Sequence, residues 1–527
     1  MGNNIIRVFV SVYLIWQIPL MTATQLFLSP LIKRGQIQEA RNLSSVDPKY
    51  FLNVSSHSGF LTVDEKYDSN LFFWYFPVAG SRPANETPWV IWLQGGPGAT
   101  SLYGLFDEIG PFKYNDKLIL NEWSWGKDYS LLFIDNPVGT GFSFTNSSDG
   151  LVDNMETCSE HLYKALQQLL VVFPELRAAP LYIAGESYAG KYIPALAMRI
   201  LKAKVAPGES DYNTTINLQG LMMGNPVLDR EDIADYSTVF YQWGLIDSQG
   251  KLAVKPLQDA YIKAIRDNNN DAAAHLRSDL LDKLQTISSQ NQLYNVLRVY
   301  NNLEAFDKYV SLPEVMNAIH VEATPLYDSN RNVHDKLLAD FLSPVRSKME
   351  TLLEHYRILI YCGQLDLTTP CTLNAKPRRE TWHWSRRRVF LEAARVPWWF
   401  NGSVAGYVKS GGGLTEVLVK GAGHLAPIDK PVETKEMISY FIRNRTVPVS
   451  PDFVFEDSDV PAPVSNVDLE PANAGSGYIT SVAINVLLVL VVVGGLWYLH
   501  RLKRKHSRLV LSDDSLSSLP EGILTMS

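Results

Sequence analysis

A serine flanked by small residues stands where an apolar run ends, in Leu181-Tyr182-Ile183-Ala184-Gly185-Glu186-Ser187-Tyr188-Ala189-Gly190. A hydroxyl presented this way acts as a nucleophile when a base takes its proton and an acid orients that base. Gly185 and Ala189 sit two residues either side of Ser187, as a strand folding sharply back into a helix requires. Such a turn lifts the Ser187 hydroxyl above a sheet and sets the Tyr188 N–H beside the carbonyl under attack. A second oxyanion donor is expected from Trp92-Leu93-Gln94-Gly95-Gly96-Pro97-Gly98, whose glycines let backbone approach an oxygen; we assign it to Gly96. A phosphate-binding loop is the rival for that run, but no lysine follows at the required spacing. A plain tight turn would give the same pattern around Ser187, so the partners must come from elsewhere in the chain.

Two loops downstream supply them. Arg357–Ile360 leads into Tyr361-Cys362-Gly363-Gln364-Leu365-Asp366, an apolar strand followed by a loop acid. Val417–Val419 leads into Gly421-Ala422-Gly423-His424-Leu425-Ala426-Pro427, a histidine among small residues. Of the ten histidines, His424 alone has this setting. The order serine, acid, histidine is that of a hydrolase triad built on strand ends.

Those strands must belong to one sheet. Apolar runs of strand length occur at Leu71–Phe76, Val90–Leu93, Leu131–Asp135, Leu181–Ala184, Leu218–Gly224, Arg357–Tyr361 and Glu416–Val419. Helix-like stretches, among them Met155–Phe173 and Tyr192–Lys204, separate several of them. Buried strands alternating with helices predict an α/β fold with a mostly parallel central sheet. From about 230 to 309 the chain turns polar and helix-prone, which predicts a helical cap inserted over the carboxyl ends of the strands.

The 527 residues, 46% hydrophobic, suffice for one large domain with an insertion or for two domains, and a formal net charge of -7 leaves no basic field for nucleic acid. Three cysteines exclude a disulfide scaffold. Residues 1–24 read as a secretory signal peptide, with Arg7 before the apolar Val8–Leu20. Residues 478–499 have the length and apolarity of a membrane span, and Arg501, Lys503, Arg504, Lys505 and Arg508 follow at once. The expectation is a single-pass type I protein: a lumenal or extracellular body over 25–446, a flexible stalk over 447–477, and a cytosolic tail over 500–527. Golgi, endolysosome and cell surface remain open, as does oligomeric state, with a homodimer among the possibilities. Glycosylation sequons begin at Asn42, Asn53, Asn85, Asn146, Asn213, Asn401 and Asn444, all on the lumenal side.

From about Leu28 to Asn444 the chain resembles the serine carboxypeptidases, the α/β-hydrolase family of cathepsin A and the yeast vacuolar enzyme. The resemblance rests on Trp92–Gly98, Asp135-Asn136-Pro137-Val138-Gly139-Thr140-Gly141-Phe142-Ser143, Gly185–Gly190 and Gly423-His424. Leu71–Phe76 and Ser311-Leu312-Pro313-Glu314-Val315 are most similar to the vitellogenic-like branch. It implies peptides cut at the free C-terminus in an acidic compartment, with no metal or organic cofactor. It also implies a site for the substrate's terminal carboxylate, mapping onto Gln94, the Gly95 N–H, Glu108 and Glu186. Two neighbouring acids suit that task only if one keeps its proton. Gln94 departs from the family's asparagine, and Ala99 stands where many relatives carry a cysteine. Cys362 and Cys371 bracket Asp366, either bonded or free, and Cys158 is expected buried and free. A membrane span is unusual for the family and resembles the arrangement of the fungal Golgi processing carboxypeptidase. An acyltransferase, with an alcohol replacing water, and a non-catalytic surface binding protein on a hydrolase fold are the two alternatives. The intact Ser187, Asp366 and His424 argue against the second.

Overall fold

Ten strands form the central sheet of the computed structural model, which describes residues 25–450 apart from 206–213, 230–233, 302, 323 and 328. In chain order the strands are β1 (His57–Asp64), β2 (Ser69–Phe76), β3 (Trp89–Leu93), β4 (Phe112–Asn115), β5 (Lys117–Leu120) and β6 (Ser130–Ile134). There follow β7 (Leu181–Glu186), β8 (Leu218–Gly224), β9 (Arg357–Gly363), β10 (Arg395–Phe400), β11 (Ser403–Gly411) and β12 (Leu414–Val419). The sheet runs β1-β2-β6-β3-β7-β8-β9-β12-β11-β10, while β4 and β5 pair separately as a hairpin. From β6 to β12 every neighbouring pair is parallel, and antiparallel strands close both edges. All seven expected strands are present.

The strands sort their side chains by alternation. Trp89, Ile91 and Leu93 of β3 enter one apolar cluster, with helices Met155–Val172 and Ala189–Val205. Val90 and Trp92 enter the other, with helix Pro431–Ile442. Period-two alternation between two covered faces is what a doubly packed sheet demands. Asn154 starts the first of these helices by accepting the Thr157 N–H at 2.9 Å.

The insertion follows β8 and is larger than the sequence suggested. Helices Tyr236–Gln242, Ser248–Arg266 and Asn270–Ser288 pack around Tyr236, Phe240, Val254, Tyr261, Leu280 and Leu284. Short helices continue past 309, and the chain rejoins the sheet at Arg357. Val315, Ile319, Val321, Val333 and Leu337 are buried there, so apolar composition marks these residues as core although they still lie outside the sheet. Cys362 and Cys371 form a disulfide, and Cys158 is a buried free thiol.

Among the described residues no helix is long and apolar enough to cross a membrane. The expected signal peptide over 1–24, the span over 478–499, the tail over 500–527, Asn213 and most of the stalk lie outside the described residues. Asn42, Asn53, Asn85, Asn146, Asn401 and Asn444 are all exposed.

Candidate active site

Ser187 follows directly on β7 with φ of 58°. A non-glycine residue held there stores about 1–3 kcal/mol of strain, which the surroundings must hold in place. They do so through the Ser187 N–H to the Gly224 carbonyl at 3.0 Å, and through the Ser187 carbonyl, which accepts from Val227 at 2.8 Å. A Cβ added to Gly185 would lie 2.2 Å from the Leu93 carbonyl oxygen and 2.8 Å from the Ala189 Cβ. That crowding is why both flanking positions are small. A Cβ on Gly95 would fall 2.7 Å from the Tyr188 nitrogen and 2.8 Å from the Ser187 Cβ. The loop after β3 therefore lies against the elbow, with Gly95 packed on the Tyr188 nitrogen.

Asp366 and His424 come from the ends of β9 and β12, two and three strands from β7 in the sheet. His424 Nδ1 lies 2.7 Å from Asp366 Oδ2, and both side chains are buried. Asp366 Oδ2 also accepts from the Asn225 amide and the Thr369 hydroxyl, each at 2.6 Å. Its Oδ1 accepts the Thr368 and Thr369 N–H groups at 2.7 and 3.2 Å. Burial alone would raise this acid, but the charge interaction with His424 and these hydrogen bonds outweigh it and hold the carboxyl below its ordinary value. With Nδ1 engaged by Asp366, the tautomer that leaves Nε2 free to take a proton is favoured. Nε2 is buried without a hydrogen-bond partner, so the Ser187 hydroxyl has not closed its bond to the imidazole. Bonds of this kind often tighten only once substrate is bound.

The four residues mapped to the carboxylate site also meet. Gln94 Nε2 donates to Glu186 Oε1 at 2.7 Å and lies 3.3 Å from Glu108 Oε1. The Trp92 indole N–H donates to Gln94 Oε1 at 2.7 Å and so fixes which way the amide points. Glu186 closes β7, and Glu108 closes a π-helical turn over Gly104–Glu108. The remaining Oε2 atoms of both acids are buried and lack a donor unless one carboxyl carries a proton for the other. Burial is the chief cause that pushes Glu108 up to about 8 and Glu186 well above its ordinary value, and the nearness of Glu108 raises Glu186 further. At acidic pH the pair is a buried hydrogen-bond donor set.

Four contributors escaped sequence reading: Asn225, Thr369, Tyr294 and Asp135. Asn225 directly follows β8, so its place at a strand end was the available signal. Tyr294 comes from the insertion and stacks on the His424 ring, centroids 4.8 Å apart at 22°; no local pattern marks it. Asp135 stood only in a motif. Its buried carboxylate accepts the Thr100 hydroxyl at 2.6 Å and the Ser101 and Phe142 N–H groups at 2.9 and 2.8 Å, tying the loops after β3 and β6 together. Burial pushes it up to about 6.

Residues 47–444 match the family described as serine carboxypeptidase. The chain is 37% identical to a venom serine carboxypeptidase of Apis mellifera over 80% of this chain and 91% of that one. It is 38% identical to a vitellogenic carboxypeptidase of Aedes aegypti, covering 79% and 89%. It is 36% identical to the human probable serine carboxypeptidase CPVL, also over 79% and 89%. Among solved structures, a prohormone-processing carboxypeptidase of Saccharomyces cerevisiae, Kex1(delta)p, shares the fold with a TM-score of 0.68 at 24% identity, over 77% and 96% of the chains. With its α/β-hydrolase sheet, its branch resemblance and its family match in agreement, the chain belongs to the serine carboxypeptidase family.

Proposed function

We propose that this carboxypeptidase removes the last residue of peptides through an acyl-enzyme formed on Ser187. The Ser187 oxygen attacks the final peptide carbonyl while His424 Nε2 takes the hydroxyl proton. The Gly96 and Tyr188 N–H groups receive the oxyanion. His424 then passes its proton to the leaving amine, the C–N bond breaks, and the acyl group remains on Ser187 as an ester. Water, deprotonated by His424, releases the shortened peptide and restores the serine. Asp366 keeps the imidazole oriented and stabilises its charged form throughout. Gln94, the Gly95 N–H and the Glu108–Glu186 pair bind the substrate's terminal carboxylate, which restricts cutting to free C-termini.

The observation carrying this reading is the buried Asp366–His424 pair at the same carboxyl ends of the parallel strands as the strained Ser187 turn. The test is labelling by a fluorophosphonate together with C-terminal digestion of a peptide library at acidic pH. Wild type should be labelled and should shorten peptides one residue at a time. Ser187→Ala should lose labelling and at least about 10⁴-fold in kcat. An unlabelled wild type overturns the assignment.

The setting belongs to the same proposal. An acidic lumen suits the protonated pair, six exposed sequons suit N-glycans, and the apolar 478–499 with its basic flank suits a single anchor.

A further inference from the structure

The loops carrying the acid and the base are both fastened to one stretch of the insertion. Leu293 accepts the Leu367 N–H at 2.9 Å, and the Val296 N–H donates to the Leu365 carbonyl at 3.0 Å, which grips the Asp366 loop from both sides. Between them the Tyr294 carbonyl accepts the His424 N–H at 2.6 Å, while the Tyr294 ring covers the imidazole. This backbone presses so closely that a Cβ on Gly423 would lie 2.3 Å from the Tyr294 oxygen.

A single carboxylate anchors the stretch. Asp429, its side chain 3% exposed, accepts the Tyr300 hydroxyl at 2.6 Å, the Asn295 amide at 2.9 Å and the Arg298 guanidinium at 2.8 Å. The same carboxylate takes the N–H of Gly423, the residue before His424, at 2.7 Å. Burial first, and then the bond to Asp429, push the Tyr300 hydroxyl well up, so it stays a donor. One acid thus joins the insertion to the histidine loop with four hydrogen bonds.

We propose that Asp429, acting through residues 293–300, is a positioning residue that sets where the His424 imidazole stands relative to Asp366 and Ser187. The proposal rests on the triad reading above. None of these four hydrogen bonds reaches Gln94, Glu108 or Glu186, so the proton-transfer step should suffer more than peptide binding. An asparagine at 429 keeps the shape but turns one acceptor oxygen into a donor, which leaves at least one of the four donors facing another.

The experiment measures kcat and KM for wild type, Asp429→Asn and Tyr300→Phe, each normalised to the fraction of Ser187 titrated by a fluorophosphonate. Asp429→Asn should lower kcat about 10- to 100-fold with KM within about threefold, as loss of an orienting partner does elsewhere. Tyr300→Phe removes one bond of the set and should lower kcat by about three- to tenfold. Where Asp429→Asn yields no folded protein, Tyr300→Phe decides. A kcat per titrated site within about twofold of wild type, or KM rising as much as kcat falls, overturns the proposal. An unlabelled wild type overturns the triad reading, and this positioning role falls with it.

Discussion

Asp366 and Glu186 are both buried acids, yet their surroundings drive them in opposite directions. Asp366 faces His424, two side-chain donors and two N–H groups, a setting that stabilises negative charge. Glu186 faces a single amide and a second carboxyl, so it keeps a proton into the range where most carboxyls have lost theirs. For Glu108 the folded value of about 8 lies above the ordinary one. The folded state therefore holds that proton more tightly than the unfolded chain. Its contribution to stability is full below the unfolded value and is lost as pH rises through about 8. Substrate binding should follow the same proton: KM for peptides is expected to be low near about pH 4.5 and to climb through neutrality to about pH 8.5. In Glu186→Gln the climb should flatten. A wild-type KM constant over that range would remove the carboxylate-site assignment. The residues of this site were legible only through the family resemblance, because nothing in the spacing of Gln94, Glu108 and Glu186 announces that they touch.

At the scale of elements, the strands nearest the sheet centre were the readable ones. β3, β6, β7 and β8 are nearly all buried and read as mostly apolar runs, with Gln219 of β8 the one exposed residue among them. The strands missed are the edge strands β1 and β10, β11 beside one edge, and the β4–β5 hairpin. β10 carries Pro397, tolerated because the strand pairs on one side with β11, and its Arg-Val-Pro-Trp-Trp-Phe does not look like a ladder member. The insertion was visible by composition but its end was not, since the buried apolar residues after 309 resemble those of the sheet. The Cys362–Cys371 disulfide belongs to this scale as well. It closes a loop with a separation of nine residues, and Asp366 lies within that loop. By loop-closure entropy it contributes on the order of 2–3 kcal/mol to stability. Reduction should lower the unfolding temperature by several degrees and reduce kcat more than it raises KM. Unchanged melting and kinetics after complete thiol labelling of both cysteines would count against any such role.

For the whole molecule, the proposed location rests on two terminal apolar runs rather than on the folded body. The full chain is expected in the pellet when membranes are extracted with alkaline carbonate, and its appearance in the supernatant would remove the proposed anchor. N-glycosidase treatment should increase mobility on gels in the same preparation. The fold class was legible because alternating buried strands and helices admit few arrangements, whereas the meeting of Tyr294 with His424 depends on how a helical insertion folds back. The strand order has one more consequence. Ser187 and His424 leave strands three places apart, which at about 4.8 Å per place separates their bases by about 14 Å. The span from Val419 to His424 must reach back across this gap, and that from Gly363 to Asp366 sets where the acid meets the imidazole. Deleting a single residue between Lys420 and Gly423 would shorten the first span by up to about 3.5 Å, more than a hydrogen bond tolerates. Length, as much as the small residues that fit here, is then a property of these loops that natural or designed variants cannot change freely.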